Sequence, residues 1–134
     1  MSIRTKIAAA AVSVAALGVI AAGVTPASAS PGGCVWGVDA CLYYHSNFSG
    51  AFNGDGGNDT YLSAWYFSGC ANGNCDGSGQ LVKNNTASVY NMNPRTVRIY
   101  VNSYQQGPYQ DIPGYTATNL NGTLYNNNAS QRFL

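Results

Sequence analysis

Two stretches of this chain repeat one pattern. "YYHSNFSG" runs from Tyr43 to Gly50, and "YVNSYQQG" runs from Tyr100 to Gly107. In each, a tyrosine is followed seven positions later by a glycine. The wider copies are "LYYHSNFSGAF" (Leu42–Phe52) and "IYVNSYQQGPY" (Ile99–Tyr109). Each is followed by Asn-Asn-x-Ala-Ser, at Asn84–Ser88 and again at Asn126–Ser130. A chain that repeats its motifs in the same order is expected to fold as two copies of one unit. The motif also limits the local geometry. If it folds a strand pair back on itself, Gly50 and Gly107 take positive φ or sit where a side chain would clash. Tyr43 and Tyr100 then lie across the fold and cover its backbone. Ser88 and Ser130 are placed to hydrogen-bond the bent hairpin, whose buried polar groups need such partners.

The two units differ in length. From Tyr43 to Asn84 is 41 positions, and from Tyr100 to Asn126 is 26. The surplus falls in "AWYFSGCANGNCDGSGQ" (Ala64–Gln80), so residues 65–80 read as an insertion in the first unit. The first unit is expected over 34–91 and the second over 96–134.

Helix signals are nearly absent after the first thirty residues, because Gly, Asn and Pro recur too often for a 3.6-residue stripe. Strand signals are common in "CLYYH" (Cys41–His45), "ASVYN" (Ala87–Asn91), "TVRIYVN" (Thr96–Asn102) and the terminal "SQRFL". All are short, aromatic or β-branched, and bounded by turn-formers. Val97, Ile99 and Val101 alternate with Arg98 and Tyr100. "TYLSAWYF" (Thr60–Phe67) reads as either a strand or a short helical turn. Many short strands with glycine-rich turns predict an all-β, antiparallel sandwich.

The chain has 134 residues. Its start carries Arg4 and Lys6, then an uncharged Ala/Val-rich run (Ile7–Val24), then Ala27-Ser28-Ala29. That order is the layout of a secretory signal cleaved after residue 29. The alternative, an uncleaved membrane anchor, fits less well with the small residues and the cleavage site. Residues 30–134 would then form a single secreted, extracellular domain, expected to be monomeric. Its charges are Lys83, Arg95, Arg98 and Arg132 against Asp39, Asp55, Asp59, Asp76 and Asp111, with no glutamate. Without clustered Lys or Arg, no nucleic-acid groove and no anionic membrane surface is indicated.

Four cysteines in a small secreted chain read as disulfides. Of the three pairings available, the spacings favour local closure, Cys34–Cys41 and Cys70–Cys75. Bridges this short stiffen loops rather than hold the whole fold. Zinc is disfavoured, because no C-x2-C spacing is present and the compartment is oxidising.

Aromatic-x4-aromatic-x-Gly followed by Asn/Asp-Asn/Asp-x-x-Ser resembles the βγ-crystallin Greek-key signature. Tyr43, Phe48 and Gly50 match it in full. Tyr100 and Gly107 keep the spacing, but Gln105 stands where the second aromatic belongs and Tyr104 falls one place early. A secreted, cysteine-bearing, Asn-rich chain with two such units resembles the bacterial peptidase inhibitor family I36, whose founding type is an actinomycete inhibitor of metalloproteinases. The resemblance implies a βγ-crystallin-like antiparallel Greek-key β-sandwich of two repeated units. It also implies a secreted peptidase, chiefly a metalloprotease, as partner.

The residues themselves offer three functional ideas. An inhibitor needs a stiff exposed loop, since rigidity lowers the ordering cost of binding. The loop bracketed by Cys70 and Cys75, made of Ala71, Asn72, Gly73 and Asn74, is the candidate. Trp65, Tyr66 and Phe67 could anchor it if exposed, but core filling is the commoner use of such residues. Trp36 is a second anchor candidate. Calcium is the next idea. In calcium-binding relatives the matching stretches supply oxygens, here Asn84, Asn85 and Ser88, then Asn126, Asn127 and Ser130. The closing serine is replaced by Val89 and Gln131, and no carboxylate is present, so any site would be weak. The plainer reading is that the asparagines hold turns and the serines brace hairpins. "NGDGGND" (Asn53–Asp59) lacks the closing glutamate of a calcium loop and reads as a hairpin loop. No cofactor is otherwise indicated. An enzyme is the weakest idea. His45 is the single histidine, it lies in the hairpin motif, and nothing specifies a triad.

Overall fold

The structure is a computed structural model that describes residues 33–34, 38–55, 58 and 62–134. The expected signal segment (1–29), Trp36 and part of the Asn53–Asp59 loop lie outside the described residues. Among the described residues the strands are β1 (Ala40–His45), β2 (Ser49–Asp55), β3 (Gly69–Cys70), β4 (Ser88–Asn91), β5 (Val97–Asn102), β6 (Gln106–Ile112), β7 (Ala117–Asn119) and β8 (Ser130–Phe133). Helical structure among the described residues is limited to 3-10 turns at Ser46–Phe48 and Leu62–Ala64. The second of these settles the ambiguous "TYLSAWYF" stretch in favour of a turn.

The strands form two antiparallel sheets, ordered β3-β2-β1-β4-β7 and β6-β5-β8. In each unit the last strand returns to lie beside the first: β4 pairs with β1, and β8 with β5. That return is the Greek key. The units also exchange segments. β7 of the second unit adds to the first unit's sheet through β4, and Leu120 N–H donates to Ala87 O (2.9 Å). Reciprocally, Leu62 N–H donates to Ala129 O (3.0 Å). The core lies between the sheets and uses matched residues from both units: Leu42 with Ile99, Leu62 with Leu120, and Val82 with Leu124. Val97 and Ile99 face inward, as the alternation of β5 predicts.

Each motif makes the same folded hairpin. Asn47, Phe48 and Gly50 have φ of 59°, 59° and 79°; Tyr104, Gln105 and Gly107 have 61°, 58° and 81°. The register shifts at the same place in both, between Tyr43 and His45 and between Tyr100 and Asn102. The second hairpin therefore forms in full although Gln105 replaces the aromatic. Its backbone N–H donates to Ser130 Oγ (2.9 Å), and its side-chain amide reaches Gln131 O (3.2 Å). In the first unit the aromatic is kept, and Phe48 packs edge-on against Tyr43 with ring centroids 5.9 Å apart.

The two serines occupy equivalent places. Ser88 Oγ accepts from Phe48 N–H (3.1 Å) and donates to His45 O (2.6 Å). Ser130 Oγ accepts from Gln105 N–H and donates to Asn102 O (2.6 Å). Both serines are fully buried. Ser88→Ala or Ser130→Ala leaves a donor and an acceptor without a partner, at about 1–3 kcal/mol per group. Urea unfolding should show each variant destabilised by that order, while exposed Ser78→Ala stays within about 0.5 kcal/mol. Equal midpoints for all three would refute this role for the hydroxyls.

Candidate functional site

The surplus of the first unit lies between Leu62 and Val82, whose counterparts Leu120 and Leu124 are only four positions apart. The chain there leaves the sandwich as a ribbon. Val82 N–H donates to Trp65 O (2.9 Å), Phe67 N–H to Gln80 O (2.9 Å) and Gly79 N–H to Phe67 O (2.8 Å). The ribbon turns back along the free edge of β2. Ala51 N–H donates to Asp76 O (2.7 Å), Ala71 N–H to Gly50 O (3.0 Å) and Ser68 N–H to Phe52 O (3.1 Å). An exposed strand edge is a template for unwanted pairing, and the insertion closes this one.

The tip of the ribbon is bridged by Cys70–Cys75, whose Cα atoms are 4.4 Å apart. Cys34 pairs with Cys41, so both bridges follow the local pairing. Within the tip, Asn74 N–H donates to Ala71 O (2.9 Å). The two residues between, Asn72 and Gly73, have φ of 49° and 80°. Positive φ at both central positions is the type I′ turn, for which Asn-Gly is the preferred pair. Sequence and disulfide thus specify the same tight turn. Asn74 is pinned further: its amide donates to Ser49 Oγ (3.1 Å), and its Oδ1 accepts from Asp76 N–H (3.0 Å). His45 Nε2 and Asp76 Oδ2 meet at 2.5 Å and clamp the base of the turn to the first folded hairpin.

Of the four loop residues singled out by sequence, Asn72, Gly73 and Asn74 are exposed, whereas Ala71 is buried. Ala71 packs with Cys41 and Tyr43 and anchors the loop. The three aromatics before the loop are divided too. Phe67 is core, edge-on to Tyr44 at 5.7 Å. Trp65 and Tyr66 are 39% and 55% exposed, contrary to the expectation of core filling. The reason is the ribbon itself. A two-stranded excursion has one face on the sandwich and one in water, and Trp65 and Tyr66 fall at its exposed stem with Leu81.

The roles of His45, Ser49 and Asp76 in holding the tip were not visible in sequence, because the contacts join residues 25 and 31 positions apart. A signal did exist at Gly77. A Cβ there would lie 2.1 Å from the Tyr44 ring, and its φ is +90°.

The Asn-Asn-x-Ala-Ser loops are placed symmetrically. Asn84 N–H donates to Asn128 O (2.7 Å), and Asn126 N–H to Thr86 O (2.9 Å). Asn84 and Asn126 both have positive φ. Asn85 Nδ2 donates to Leu81 O (2.9 Å), and Asn127 Nδ2 to Thr123 O (3.0 Å). These side chains hold their own turns, and Ser88 and Ser130 brace the hairpins. Val89 and Gln131, at the closing positions, are fully buried. The donor set offers neutral amide oxygens and no carboxylate, a poor fit to a calcium ion, which takes six to eight oxygens and is held by their charge. Among the described residues, no cluster of three His, Cys, Asp or Glu side chains is placed to hold a metal.

No family model matches the sequence. No curated protein sequence matches it either. Solved structures do resemble the fold. One, from work on the evolution of the eye-lens βγ-crystallin domain fold, has a TM-score of 0.56 at 16% identity, covering 71% of this chain and 83% of that one. A βγ-crystallin from an archaeon has a TM-score of 0.53 at 18% identity, covering 72% and 98%. The N-terminal domain of protein S has 0.51 at 22%, covering 71% and 93%. With two Greek keys, two folded hairpins and their bracing serines, the fold is that of a βγ-crystallin domain. The two disulfides fit an extracellular or otherwise oxidising environment.

Gly77→Ala tests how the insertion is docked. The added methyl collides with the Tyr44 ring and should loosen the ribbon while leaving the sandwich folded. Hydrogen exchange should accelerate at Ala51 and Ala71, whose amides bond across the junction, and remain slow at Val89 and Ile99. Unchanged protection at Ala51 would show that the contact does not hold the insertion.

Proposed function

We propose that this chain is a secreted, non-catalytic βγ-crystallin-type module that inhibits a peptidase by blocking its cleft with the insertion. A metalloprotease is the expected target, in line with the resemblance to peptidase inhibitor family I36. One observation carries the reading: the Cys70–Cys75 tip is exposed, disulfide-bridged and pinned by side chains from the adjacent hairpin. A tip already held in one conformation loses little entropy on binding. The shape of the tip also says how it would act. Substrates and strand-like ligands bind extended, by main-chain pairing. Asn72 and Gly73 are left-handed, so the tip enters as a wedge and not as a mimic of substrate. The exposed Trp65 and Tyr66 on the stem supply the aromatic contact area that such an interface needs.

The test is a titration of oxidised Ser30–Leu134 against a thermolysin-type protease, beside a Cys70→Ser/Cys75→Ser control. Stoichiometric inhibition is expected, weakened at least about tenfold in the control as the tip loses its order. Intact protein with no inhibition at micromolar concentration would sink the proposal.

A second reading is a structural extracellular module. It is favoured by the way the insertion seals the β2 edge, a role complete without any partner. The loops at Asn84–Ser88 and Asn126–Ser130 would then bind calcium weakly, with a dissociation constant of about 1 mM or above. Calorimetric titration with calcium should give no stronger binding. Micromolar affinity would require carboxylate ligands that these loops do not provide.

A further inference from the structure

The two units can be compared position by position on their outer faces. In the first, the outer face of β1, β2 and β4 carries Cys41, Tyr43, Phe52 and Tyr90. This face is covered by the chain itself: Cys34, tethered by its disulfide to Cys41, and Val38 pack over it. In the second unit the equivalent positions are Arg98, Tyr100, Tyr109 and Arg132, on β5, β6 and β8. Of these, Tyr100 is buried and Arg98 half-buried, while Tyr109 and Arg132 are exposed.

This second face is charged in an unbalanced way. Arg98 and Arg132 are directly opposite each other across β5 and β8. Like charges so placed repel. Arg98 is held by Asp111, its partner on the other side, through Nε (2.7 Å) and Nη2 (2.8 Å). Its guanidinium also stacks 3.7 Å above the Tyr109 ring. The Arg132 side chain is exposed, and among the described residues no ion pair or hydrogen bond holds it. The row Arg132–Arg98–Asp111 therefore has one cation in excess, beside a ring that is 50% exposed. The whole sequence is polarised in the same sense. Residues 92–134 contain three arginines and one aspartate, while residues 33–91 contain one lysine and four aspartates.

We propose that the outer face of the β6-β5-β8 sheet is a docking site for an extended, carboxylate-bearing peptide segment of a partner protein. A glutamate or aspartate of the partner would bind Arg132 and approach the Arg98 guanidinium, with neighbouring residues of the segment lying on Tyr109. Arginine and tyrosine are the residues that most often anchor such contacts, and arginine's fork matches a carboxylate. An extended occupant suits a flat sheet face, and in the first unit Cys34 and Val38 of the chain itself lie over the equivalent positions. The proposal is independent of peptidase inhibition, since the insertion belongs to the other sheet.

The test uses 15N-labelled Ser30–Leu134 titrated with a Gly/Ser peptide carrying three glutamates, and with its glutamine counterpart. Amide shifts should move at Arg98, Tyr109 and Arg132 with the glutamate peptide only, and should diminish at high salt. Arg132→Gln, an outward-facing change that should leave the melting temperature unaltered, is expected to weaken binding about tenfold. Asp111→Asn removes the internal competitor for Arg98 and should tighten binding about two- to fivefold. That opposite sign would not arise from a merely structural role. Equal shifts with the glutamine peptide, shifts away from this face, or unchanged binding by Arg132→Gln would overturn the proposal. So would a sulfated oligosaccharide displacing the peptide at far lower concentration, since the face would then be a glycan site.

Discussion

A serine hydroxyl closes each half of this molecule. In each folded hairpin two successive non-glycine residues adopt left-handed backbone, Asn47 and Phe48 in one, Tyr104 and Gln105 in the other. Such residues are disfavoured by roughly 1–2 kcal/mol apiece. The bend they create turns a backbone amide and a carbonyl inward, away from their strand partners. Ser88 and Ser130 satisfy both groups at once, from strands that come last in their units. The hairpin is therefore complete only when the Greek key has closed. This couples the local bend to the long-range return of β4 and β8, and the two sheets rest on that coupling.

Part of this was legible in the sequence. The seven-residue step from tyrosine to glycine, and the serine that follows, report the hinge and its brace directly, because few residue types tolerate those positions. β1, β4, β5 and β8 were visible for a different reason: each carries inward-facing apolar residues in alternation or in a run. β2 and β6 gave no such signal. β6 is exposed along most of its length, and its sequence "QGPYQDI" is set by solvent and by the hinge glycine rather than by a core. Gln105 misled in the other direction. The aromatic it replaces packs on the outside of the hairpin, whereas the backbone bond to Ser130 that fixes the bend is available to any residue.

The insertion was legible as an interruption of the repeat but not as an edge cover. Its docking depends on pairings between β2 and residues 68–76, and backbone hydrogen bonds leave little trace in residue identity. Its disulfide adds little chain constraint, since the closed loop is short. What the bridge does is local. It holds the Asn-Gly turn against Ser49, His45 and Asp76, so that the end of the ribbon behaves as part of the sandwich. Trp65 and Tyr66 remain in water because they lie at the stem, where the ribbon leaves the sandwich, whereas Phe67 reaches back into the core against Tyr44.

A duplicated fold allows constraint to be separated from function within a single chain. Positions facing the core remain apolar in both units: Leu42 and Ile99, Leu62 and Leu120, Val82 and Leu124. The bracing serines are identical. The outer positions are not. Cys41 corresponds to Arg98, Tyr90 to Arg132 and Gly54 to Asp111, each at the same place in its strand register. Packing and backbone satisfaction act on the first set in both halves alike, so they cannot explain the divergence of the second. One outer face has become a small apolar layer under a disulfide-tethered segment. The other has become a charged surface with Tyr109 and Arg132 exposed. Since a fold of this kind hosts many roles, the chemistry that distinguishes this protein is to be sought where its two halves stopped resembling each other: at the inserted tip of the first and on the arginine face of the second.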